Sequence, residues 1–118
     1  MSRARCCLVI TVCPKEPGIV KLPIERGGRA QRLDARRVAR TLTALAAARG
    51  LNERVTLRAA CAGGCTGPGP NVSVTIYPEP RPGEARDHVA IGWKTYVYSL
   101  PTLDCLARII DENLAAPR

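Results

Sequence analysis

Two cysteines four residues apart, in Cys61-Ala-Gly-Gly-Cys65-Thr-Gly-Pro68, close an apolar run and constrain this chain more than any other stretch. The run before them, Val55-Thr-Leu-Arg-Ala-Ala60, is β-branched or small and predicts a buried strand that stops where the glycines begin. Gly63 and Gly64 lack a Cβ, so the loop can turn tightly and aim backbone N–H groups inward, an arrangement suited to thiolates or another anion. Side chains from several segments converge at the strand ends of α/β proteins. Cys61 and Cys65 are therefore the first candidates for chemistry, with Gly63 and Gly64 as backbone donors beside them.

Upstream, residues 6–13 read Cys-Cys-Leu-Val-Ile-Thr-Val-Cys, a continuous apolar run that predicts a central strand covered on both faces and ended by Pro14. Residues 15–32 contain Pro17, Gly18, Pro23, Gly27 and Gly28 without a sustained period, which predicts a long loop. Asp34 can cap a helix to about Arg49, with Val38, Leu42 and Leu45 on one face, Arg36, Arg37 and Arg40 on the other, and Gly50 as the stop. Strand, helix and strand imply a right-handed crossover and a parallel pair. Cys13 and Cys61, distant in sequence, then share one edge of the sheet.

Past the turn at Gly67-Pro-Gly-Pro70, Val72-Ser-Val-Thr-Ile-Tyr77 alternates as a strand, and residues 78–87 read as a hairpin loop. Residues 88–98 return as a fourth strand with Gly92 at a bulge. Ser99 or Thr102 caps a second helix running through Leu114, with Leu103, Leu106, Ile110 and Leu114 as its apolar stripe. The expected class is α/β: βαββα, a mixed four-stranded sheet with two helices.

A length of 118 residues suits one domain over the whole chain. The formal charge of +8 is lopsided: residues 1–50 hold eleven Lys or Arg against three acids. That half can face an acidic protein, whereas nucleic acid is disfavoured because no aromatic platform interleaves Arg29, Arg32, Arg36, Arg37 and Arg40. The basic start leads into only eight apolar residues before Pro14, which predicts a cytoplasmic protein whose clustered cysteines serve a metal or redox site. No stretch is long enough to span a membrane. No nucleophile with a base, paired catalytic carboxylates or phosphate loop is evident, so an enzyme is not expected.

Taken together, Val12-Cys13, residues 61–65, Gly67-Pro68, residues 72–78, Thr95-Tyr96 and the final helix resemble the thioredoxin-like 2Fe-2S ferredoxin family. The likeness implies a thioredoxin-like fold, a homodimer and a 2Fe-2S cluster used in electron transfer, and the basic first half of the chain suits an acidic redox partner. In that family four cysteines hold the cluster, and Cys13, Cys61 and Cys65 match three. The second, expected about a dozen residues after the first, has no counterpart, since residues 14–33 contain no cysteine. Glu25 lies in that stretch, and His88 is a competent ligand near the hairpin tip. Cys6 and Cys7 begin the first strand, roughly 20 Å from its far end, and read as small buried hydrophobes. Cys105 falls off the stripe of the last helix and is expected to be partly covered. Two other functions stay open: a three-thiolate site for zinc or copper(I), and a metal-free interaction module.

Overall fold

The computed structural model describes residues 6–14, 18–60, 70–78, 90–96 and 99–114. Its elements in chain order are β1 (Cys6–Val12), β2 (Val20–Pro23), β3 (Ala30–Leu33), α1 (Ala35–Ala48), β4 (Val55–Ala59), β5 (Val72–Pro78), β6 (Gly92–Tyr96), a 3-10 turn (Leu100–Thr102) and α2 (Arg108–Leu114). The main sheet runs β4-β1-β5-β6, with β1 parallel to β4 and antiparallel to β5, and β6 antiparallel to β5. The fold is thus mixed α/β, with a four-stranded mixed sheet and two helices.

Local chemistry accounts for α1. The Asp34 side chain accepts from the Arg37 N–H at 2.8 Å, and Val38, Leu42 and Leu45 face the core. At the other end, Gly50 takes a positive φ, its N–H binding Ala47 O while the Leu51 N–H binds Ala46 O. This paired closure satisfies two carbonyls that the helix end would leave open.

The expected cover on both faces of β1 is corrected. Cys6, Leu8, Ile10 and Val12 are buried against the helices, whereas Cys7, Val9 and Thr11 are only half-buried. On that second face Thr56, Ser73, Thr75 and Thr95 lie in register beside them, and these small polar residues tolerate water. An unbroken apolar run does not reveal which neighbours a strand will have.

The expected long loop is also corrected, because part of it forms the two-stranded hairpin β2–β3. Val20 and Leu22 point into the core, and Gly27, at φ +82°, lets the chain turn back. The hairpin carbonyls of Pro23 and Ile24 accept from the N–H groups of Leu106 and Ala107 at 2.7 and 2.9 Å. Those same N–H groups would have bonded within a helix starting at Thr102. Their commitment to the hairpin explains why α2 begins only at Arg108, while Leu100–Thr102 forms a separate turn. Gly92, expected at a bulge, instead lies opposite Ile76 in an unbroken register. Among the described residues, no helix is long and apolar enough to cross a membrane.

Candidate functional site

Cys13 leaves β1 at the sheet end where β4 also stops. The parallel register sets Val12 beside Ala59, and the Ala60 N–H donates to the Val12 carbonyl at 3.3 Å. Cys13 is 3 % exposed, and its N–H donates to Asn71 O at 3.1 Å, which fixes it against the start of β5. Cys61, Gly63, Gly64 and Cys65 lie outside the described residues, as does His88. Among the described residues, no group of three or more His, Cys, Asp or Glu side chains is gathered as a metal site.

Glu25 is held at the other end of the sheet. Its carboxylate takes Arg49 at 2.6 Å, and Arg49 also binds Asp111. Arg49 follows α1 and precedes the segment leading into β4, whose Val55 lies beside Leu8 near the start of β1. Glu25 therefore lies toward the opposite end of the sheet from Cys13.

The remaining described cysteines behave as structure. Cys6 is 2 % exposed, and its thiol donates weakly to the carbonyls of Asn113 and Leu114 at 3.8 and 3.9 Å, near the end of α2. Cys7 is half-buried. Cys105, expected to be partly covered, is buried at 5 % exposure because it precedes the Leu106 and Ala107 amides that dock on the hairpin.

A second constellation, not singled out from sequence, lies where β6 meets α2. The buried Tyr96 hydroxyl donates to Glu112 and accepts from Asn113 Nδ2 at 2.9 Å. Glu112 also takes Lys94 at 2.8 Å and Arg108 at 3.3 Å. Burial, reinforced by the hydrogen bond to Glu112, pushes the Tyr96 phenol well above its ordinary value. Burial works to raise Glu112 too, but hydrogen bonds from Lys94 and Tyr96 outweigh it and hold the carboxyl below its ordinary range. Two shallow clefts of about 270 and 360 Å³ flank Arg108 and Glu112. The available signals were local: Lys94 and Tyr96 share a strand face, and Arg108 and Glu112 are one helical turn apart. Their meeting depends on how the helix crosses the sheet.

Comparison with protein-family models, with curated proteins and with solved structures returns no match for this chain.

Proposed function

We propose that the chain is a nonenzymatic iron-sulfur protein of the thioredoxin-like 2Fe-2S ferredoxin type, with Cys13, Cys61 and Cys65 supplying thiolates. The observation that carries this reading is the hydrogen bond from the Ala60 N–H to the Val12 carbonyl. It brings Cys13 level with Ala60, and Cys61 is one peptide unit, about 3.8 Å of chain, further on. The strand order supports the thioredoxin-like part. The crossover's first strand is interior, its parallel partner lies on one side, and an antiparallel strand followed by an edge strand lies on the other.

A bound cluster would supply one-electron redox chemistry. Burial of Cys13 shields its sulfur from water, the hydrogen bond from its N–H to the Asn71 carbonyl fixes its backbone, and the Gly63 and Gly64 amides would serve as hydrogen-bond donors to sulfur. A homodimer in the cytoplasm completes the reading. With Glu25 tied to Arg49, the fourth donor would come from His88, a small thiol or a second subunit.

The cysteine-free hairpin also favours a second reading, in which three thiolates hold zinc or copper(I) without a fourth protein cysteine. The experiment is a visible spectrum with iron, sulfide, zinc and copper analysis of protein purified without oxygen. About two irons and two sulfides per chain or per dimer support the cluster. A colourless protein carrying zinc or copper supports the second reading, and one without any metal sinks both in favour of an interaction module.

A further inference from the structure

The acids near α2 are occupied by neighbouring cations. Glu25 and Asp111 hold Arg49, Asp104 holds Arg26 and Arg108, and Glu112 holds Lys94 and Arg108. The hairpin and the first half of α1 are built differently. Lys21, Arg32, Arg36 and Arg40 are exposed, and among the described residues no ion pair reaches them. Asp34 is the one acid between residues 26 and 49, and its side chain is committed to the Arg37 N–H.

These cations form one surface. Lys21 and Arg32 lie directly opposite each other across the hairpin, and Arg36 and Arg40 are one turn apart on the helix. Arg37 fastens the two halves together, donating to Gln31 Oε1 at 3.1 Å and to Arg32 O at 3.4 Å. Like charges one turn apart repel, and positive charge in the first turns opposes the helix dipole. Helix stability therefore does not account for this pattern.

The surface is also well placed. The chain must return through α1 to the start of β4, so the first turns of α1 lie toward the end of β1, where Cys13 follows Val12.

We propose that Lys21, Arg32, Arg36 and Arg40 form the docking surface for an acidic face of a partner protein. The positive charge sets the complementarity, and the absence of an aromatic among these residues leaves no platform for stacked bases. The inference deepens the proposed function: its location does not depend on a cluster, but its use, bringing an electron donor or acceptor to the Cys13 end, does.

The test is fluorescence anisotropy of a labelled peptide of about a dozen glutamates, titrated with the full chain at low and physiological salt, beside a DNA duplex of similar charge. Arg36→Gln with Arg40→Gln is expected to weaken peptide binding about five- to tenfold. The control pair Arg26→Gln with Lys94→Gln removes the same charge from cations already in ion pairs and is expected to change binding less than about twofold. Circular dichroism melts establish that both pairs fold. Equal losses in the two pairs, tighter binding to the duplex, or no peptide binding at low salt would each overturn the assignment. Iron-free protein is titrated in parallel. A protein that purifies without iron yet docks site-specifically retains the surface while the cluster reading fails, and a protein that purifies with iron but does not dock reverses those two results.

Discussion

Ala60 donates its N–H to the carbonyl of Val12 at 3.3 Å, and in the sequence a cysteine follows each of these two residues. A parallel ladder thereby sets Cys13 level with Ala60, the residue that precedes Cys61 in the sequence. If Cys13 is a ligand, Cys13→Ser should lower bound iron or zinc about tenfold or more, whereas Cys6→Ser, at the other end of β1, should retain it. Metal analysis of both purified variants checks this, and equal retention would remove Cys13 from the site.

The hairpin tests differently, through stability. Leu22 is 2 % exposed, and Leu22→Ala should cost about 2–4 kcal/mol, while its exposed neighbour Lys21→Ala should cost less than about 0.5 kcal/mol. Urea denaturation of the two variants distinguishes a hairpin integrated into the core from a loop lying over it.

At the start of α1, Asp34→Ala removes the acceptor for the Arg37 N–H and should cost about 1 kcal/mol, with Asp34→Asn recovering most of it. The same denaturation series reads both.

Tyr96 provides an alkaline signature. Its folded pKa is raised, so above about pH 10 the unfolded chain loses the phenol proton before the folded one does. Its stabilising contribution is fully present below that pH and is lost as pH rises through the folded value, by up to about 1.4 kcal/mol per pH unit. Tyr96→Phe should lack this component and cost about 1–2 kcal/mol at neutral pH. Urea midpoints of the two proteins between about pH 8 and 11 should converge, and parallel curves would refute the buried network.

Glu112 has the opposite sign. Its folded pKa is lowered, so its contribution is present above the ordinary glutamate value, about 4.3, and is lost as pH falls through the folded value. Glu112→Gln should cost about 1 kcal/mol at pH 7 and flatten the decline below about pH 4.5. Acid titration of stability measures the difference.

Sequence by itself determined the elements whose causes are local. Asp34, the Val38-Leu42-Leu45 stripe and Gly50 specify α1 because capping and apolar spacing act within a few residues. The β-branched runs specify β1, β4 and β5, and a helix between the first two makes their parallel pairing the expected outcome. Tertiary structure alone decided the rest. Four-residue strands interrupted by Pro23 and Gly27 carry too little alternation to announce a hairpin, and the hairpin is held by amides of Leu106 and Ala107. Those bonds delay α2, while Arg49 draws Glu25 away from Cys13 and Glu112 finds Tyr96 across an interface. Each outcome depends on a partner far away in the chain, and such a partner leaves no local periodicity in the sequence.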